Sequence, residues 1–302
     1  MKKLLFSISF LTLLFSCKND NKASNNDETK TDNVTENVVE KTPEEKLPEG
    51  SQLYTENNGL WVGDFEAKEF QEDKEFVYVN KITIDIKGIY KEEVIGESIV
   101  AGNIRPMNGT YTKQDNVINF DLNEPGDDKY DGVFKFKIEN DTLSGIWYAN
   151  DKKSVVTERQ FKLVKRDFKY NPRNMIPKDQ ELVDWFTRKM GKSVDGEQYD
   201  EEIYRAASEK VTIFNSSTTK FNEKMLKNLK KIDLEILRNT IYARHGLTFK
   251  KKTFRQFFDP VSWYIPISKD VSAELTPLEN ENIALLKRYE KYATDNYDYF
   301  GR

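Results

Sequence analysis

Few residues in this chain offer chemistry, and they sit close together. His245 is the single imidazole among 302 residues, so it is the one candidate for an imidazole general base. Around it stand Arg238, Tyr242, Arg244 and Gly246, followed by Phe249, Phe257, Phe258, Trp263 and Tyr264. Guanidinium groups grip carboxylates and phosphates in two-pronged fashion, and Trp and Tyr rings stack on sugars and cations. Arg238, Tyr242, Arg244, His245, Trp263 and Tyr264 could therefore line a groove for a sugar or an anionic group. The same residues also have a purely structural reading. Cations in the last turn of a helix interact with its free carbonyls, and a glycine after them reverses the chain in the left-handed conformation. A tyrosine in that turn can bury its ring and send its hydroxyl to a partner.

Other chemistry finds no support. No Gly-x-Ser-x-Gly elbow marks a nucleophile, and no pair of carboxylates is singled out as a glycosidase pair. Gly191-Lys192-Ser193 ends like a phosphate-binding loop, but Phe186 occupies the place of its first glycine. Asp127, Asp131 and Gly132 are spaced like part of a calcium loop, yet Lys129 replaces one oxygen ligand and Ile138 replaces the bidentate Glu. One Cys and one His exclude disulfide frameworks, Cys/His zinc sites and multi-His iron centres. The expectation is a non-enzymatic protein without catalytic residues, metal or cofactor, the weaker alternative being an envelope hydrolase centred on His245.

The N-terminus supplies an address. Lys2 and Lys3 precede an apolar run from Leu4 to Phe15, shorter than the roughly 20 residues of a membrane-spanning helix. It ends in Leu14-Phe15-Ser16-Cys17, which resembles the lipobox of bacterial lipoproteins. The resemblance implies cleavage after Ser16, lipidation of Cys17 and a membrane anchor. With about 0.8 kcal/mol per buried CH₂, two or more acyl chains hold stably. Lys18 after the cysteine points to the outer membrane, on its periplasmic or surface face. An extracytoplasmic address and a net charge of −4 speak against a nucleic-acid partner.

Charge is unevenly distributed. Between Glu209 and Phe258 twelve Lys and Arg face four carboxylates, with Lys250, Lys251 and Lys252 in a row. Such a run is either a solvated face or a docking surface for anionic envelope polymers, such as cell-wall or lipopolysaccharide chains.

Several elements must position these residues. Residues 1–16 read as a signal peptide and 17–50 as a polar tether too poor in apolar residues to fold. Residues 51–166 alternate with period two at Ile82-Ile84-Ile86, Ile118-Phe120-Leu122 and Phe134-Phe136-Ile138. Turn pairs such as Asn140-Asp141 separate about eight strands, predicting an antiparallel barrel or sandwich. Gly59-Leu60-Trp61 resembles the opening of lipocalin-like barrels, which implies that Trp61 and Trp147 could wall a cavity for a small apolar ligand. Trp61 and Trp147 as plain core fillers is the other reading.

Residues 167–209 read as a helical connector, with Leu182, Val183, Phe186 and Met190 at helical spacing and Gly191 closing the helix. Lys210 to Phe214 fits a short strand. Within 210–302, Asp233 is placed to cap a helix running to His245, and Pro260 stops a second near 251–258. Thr276-Pro277-Leu278-Glu279 opens a third with a capping box.

Leu237-Arg238-Asn239, Tyr242-Ala243-Arg244-His245-Gly246, Phe249, Phe257-Phe258 and Trp263-Tyr264 together resemble the YARHG domain over roughly residues 218–292. The resemblance implies a small, mostly helical, extracytoplasmic domain with an envelope-binding role and no settled enzymatic activity. The expected fold class is α+β, an N-terminal antiparallel barrel or sandwich followed by that domain.

Overall fold

A computed structural model describes residues 50–190 and 202–297. The expected signal peptide, Cys17, nearly all of the tether and the Gly191-Lys192-Ser193 motif lie outside the described residues.

Eight strands form a closed antiparallel barrel: β1 (Gly59–Phe70), β2 (Val79–Ile89), β3 (Val94–Val100), β4 (Asn103–Gln114), β5 (Val117–Asn123), β6 (Gly132–Glu139), β7 (Thr142–Ala149) and β8 (Val156–Arg166). Each strand pairs with the next, and β8 returns to β1 with Val62 opposite Val164. The period-two residues point inward: Ile82, Ile84, Ile86, Ile118, Phe120, Leu122, Phe134, Phe136 and Ile138 are all buried in one core cluster. An eight-stranded barrel has an interior about as wide as its own side chains can fill. Turn chemistry sets the hairpins. Asn140 and Asp141 both take positive φ, 48° and 56°, as the tight β6–β7 turn requires.

Residues 167–209 are not a helical connector. They contain a two-stranded antiparallel sheet of β9 (Val183–Met190) and β10 (Glu202–Ala206). The expected helical stripe is not a buried face, since Phe186 and Met190 are 43% and 53% exposed. The pairing is held instead by a charge. Asp184 is fully buried and accepts two hydrogen bonds from the guanidinium of Arg205, Nε at 3.1 Å and Nη2 at 2.9 Å. A buried carboxylate needs such a partner, and only the hairpin brings Arg205 across to it. Lys210 to Phe214 is likewise no strand, because Glu209–Thr212 form a 3₁₀ turn capped by Ser208.

The C-terminal part has four helices: α1 (Glu223–Leu226), α2 (Lys231–Arg244), α3 (Lys252–Phe258) and α4 (Pro277–Asn296). Helix α2 begins two residues before Asp233. That carboxylate reaches back to the Lys230 N–H at 3.0 Å and takes both the N–H and hydroxyl of Ser208, at 2.6 and 3.0 Å. Leu234, Ile236, Leu237, Thr240, Ile241 and Ala243 are all buried, so α2 is covered on most of its circumference.

Barrel and helices belong to one compact unit and meet at the start of β2 and at the β3–β4 turn. The outward-pointing Lys81 is buried because its N–H donates to Asp259 at 3.1 Å and its ammonium to the Val261 carbonyl at 2.6 Å. Arg255 of α3 donates to the side chain of Asn80 at 2.9 Å. At the turn, the Gly102 N–H donates to the hydroxyl of Thr248 at 3.1 Å.

Candidate functional site

The end of α2 and the start of α4 are joined through one carboxylate. Glu279 sits at the third position of α4 and is fully buried. Its Oε1 accepts from the hydroxyls of Ser217 at 2.6 Å and Tyr170 at 3.0 Å. Its Oε2 accepts from Nε2 of His245 at 2.9 Å and from the N–H and hydroxyl of Thr276 at 3.0 and 3.1 Å. Five donors outweigh the cost of burial and hold this carboxyl down to about 2, His245 and Ser217 being its strongest supports. A carboxylate only accepts, so the His245 nitrogen facing it carries the proton. The Tyr170 ring stacks on the imidazole at 4.2 Å between centroids.

Arg244 completes the lock. Its guanidinium is 1% exposed and donates to the Asn174 carbonyl at 2.8 Å and to the hydroxyls of Ser217 and Ser216 at 2.8 and 3.2 Å. Burial lowers it to about 10, with the charge of Glu279 acting the other way. Gly246 follows with φ +81°, where an added Cβ would lie 2.5 Å from Ile267. Its carbonyl takes the N–H groups of Ile267 and Ser268 at 2.8 and 3.1 Å.

The remaining expected site residues scatter. Tyr264 is buried and its hydroxyl donates to the Leu247 carbonyl at 2.7 Å, while the Trp263 indole donates to the Met175 carbonyl at 2.7 Å. Arg238 pairs with Glu290 of α4 at 2.6 and 3.0 Å and lies over the Tyr242 ring. Arg244, His245 and Tyr264 are thus turned inward and do not form the wall of an open groove. Trp61 and Trp147 both belong to the cluster filling the barrel; their indole N–H groups meet the Asn57 carbonyl at 2.9 Å and Glu124 at 3.4 Å. Asp127 and Asp131 hold the guanidinium of Arg105, with Nε 2.8 Å from Asp131.

Of the expected site residues that are described, the lysine row is the part that stays exposed, as do Lys224 and Lys227 elsewhere in the basic stretch. Lys250, Lys251 and Lys252 are exposed, and among the described residues none of the three forms an ion pair. Elsewhere in the basic stretch, Lys220 pairs with Glu281 at 2.8 Å and Lys230 donates to the Ala206 carbonyl at 3.0 Å.

Residues 209–291 match the YARHG domain. No curated protein and no solved structure matches the chain. In this YARHG domain the five name-giving residues have identifiable tasks. Tyr242 offers its carbonyl to the N–H groups of His245 and Leu247, both at 3.1 Å, and Ala243 is small enough for the core. Arg244, His245 and Gly246 then tie the helix end to Ser217, to Glu279 and to the loop at Ile267 and Ser268. Sequence reasoning found Glu279 only as a capping-box member. Tyr170, Ser216 and Ser217 gave no local signal at all.

Proposed function

We propose that the chain is a lipid-anchored, non-catalytic binding protein of the bacterial cell envelope, attached to the outer membrane through Cys17. In this reading the YARHG domain contacts an anionic envelope component, and the Lys250-Lys251-Lys252 row is the contact. The carrying observation is that these three lysines are exposed and in no ion pair among the described residues, whereas Arg238 and Arg244 of the same domain are spent on internal partners. Concentrated cations without counter-charges attract polyanions strongly at low ionic strength and weakly at high. A non-catalytic role is supported by His245, whose ring is enclosed by Glu279 and Tyr170. The alternative of a carrier for a small apolar ligand inside the barrel has less support, since Trp61, Phe65, Phe134, Trp147 and Phe161 pack against one another there.

Co-sedimentation of the full chain with lipopolysaccharide vesicles and with cell-wall sacculi tests the reading. Binding to at least one should fall with added salt and drop at least tenfold in the K250E/K251E/K252E variant. Binding indifferent to charge reversal removes the lysine row from the function.

A further inference from the structure

A second place on the molecule is built to hold something else. Where β1, the β1–β2 loop, β9 and α3 converge lies a half-open cleft of about 370 Å³, mostly apolar in its lining. Val77 and Val79 form the barrel side, Trp185 and Phe186 the sheet side, and Arg255 with Gln256 the helix side. Trp185 and Phe186 are 48% and 43% exposed, which is costly for rings of that size on an open surface. Trp185 is anchored nonetheless. Gln256 accepts the Trp185 N–H at 3.0 Å and donates to the Val183 carbonyl, and Tyr204 meets the Trp185 ring edge-on at 4.8 Å. A preformed cleft with fixed aromatic walls binds small ligands with little ordering cost.

The charges around the cleft are incomplete. Arg255 is 9% exposed, donates Nη1 to the neutral side chain of Asn80, and leaves its buried Nε without any hydrogen-bond partner. Behind it Arg159, equally buried, donates to the carbonyls of Phe65, Tyr78 and Val77, again all neutral. Burial pulls both guanidiniums below their ordinary range, Arg159 to about 10, and their mutual repulsion adds to the lowering of Arg159. Asp64 and Asp259 also line the cleft, but one Asp259 oxygen is taken by the Lys81 N–H. Lys252 completes the rim with its ammonium 5.7 Å from the Phe186 ring centre. Both guanidiniums hydrogen-bond only to neutral acceptors; the nearby Asp259 charge offsets part of the burial cost of Arg255, and an anion in the cleft would offset more.

We infer that this cleft binds a small organic acid with a single aromatic ring, its ring against Trp185 and Phe186 and its carboxylate toward Arg255 and Lys252. The volume suits one ring with a short side chain, at the lower end of ordinary ligand sites, which run from about 300 Å³. A carboxylate is drawn to the guanidinium, and Lys252 on the rim adds a second positive charge. This inference goes beyond the envelope-binding reading and needs neither Lys250 nor Lys251.

Titration calorimetry of the full chain in detergent with 3-phenylpropionate tests it, with 3-phenylpropionamide as the neutral control. Saturable binding of the acid is expected, and the amide should bind at least tenfold more weakly. W185A, a change on an exposed strand position, should weaken the acid at least tenfold, and so should R255M. Should R255M fail to give a native far-UV spectrum, the acid–amide comparison and W185A decide alone. No saturable heat, equal affinity for acid and amide, or unchanged binding by W185A overturns the inference. The K250E/K251E variant should bind the acid as before, so loss of polymer binding and loss of acid binding are separate results.

Discussion

Glu279 shows how one carboxylate can turn a capping box into a tertiary clamp. Its ordinary duty is to cap α4 through Thr276, and that duty was legible because Thr276-Pro277-Leu278-Glu279 is a local pattern. Its other partners come from 34, 62 and 109 residues away, separations at which no spacing rule operates. Because the folded carboxyl is depressed to about 2, it contributes stability that is whole above its ordinary value of 4.5 and is lost as pH falls through the folded value. The contribution is on the order of 3 kcal/mol. Urea melts should therefore weaken between about pH 4.5 and 2 in the wild type, and this slice of acid sensitivity should be missing from E279Q. At pH 7, E279Q should itself lose about 3 kcal/mol, because an amide nitrogen cannot accept from donors already in place. An E279Q melt equal to wild type at pH 7 would remove the clamp. Arg244→Lys makes a milder companion: one ammonium cannot serve Asn174 together with Ser216 and Ser217, and a loss of about 1–3 kcal/mol should appear in the same melts.

At the scale of elements, the barrel was readable and the β9–β10 hairpin was not, for one physical reason. Inward Phe134, Phe136 and Ile138 of β6 are buried and alternate with exposed Lys135 and Lys137, so period and burial agree along the strand. In β9, apolar Phe186 and Met190 are exposed while charged Asp184 is buried, so hydrophobic spacing pointed to the wrong element. The turn between β3 and β4 raises a different point. Gly102 sits at φ +83°, and a Cβ there would come within 2.8 Å of the Lys250 Cα. Two demands coincide at one residue: a left-handed turn and direct approach of the helical part. Gly102→Val should cost about 2–4 kcal/mol, the sum of backbone strain and a steric clash. Amide hydrogen exchange should speed up at both the β3–β4 turn and Thr248. A change confined to the turn would mean that the two segments are not packed as described.

For the molecule as a whole, the decisive coupling runs between strand β2 and the end of α3. Burial lifts the Asp259 carboxyl to about 7 and lowers the Lys81 amine to about 8, so each group's charge depends on the other across the two parts. Lys81→Met removes the cation that helps hold Asp259 ionised, and it strips the Val261 carbonyl of its donor. Two results are expected together. The Asp259 carboxyl, followed by ¹³C NMR, should titrate above about 7. The thermal transition should also fall, because a buried carbonyl left without its donor costs about 1–3 kcal/mol. Wild-type barrel and helices should melt in one transition, and the variant should show the helical part loosening first, since only the interface was touched. If Lys81→Met leaves the Asp259 titration where it was, the charges of the two parts are not linked, and the barrel is then a support for the YARHG domain with no say in its ionisation.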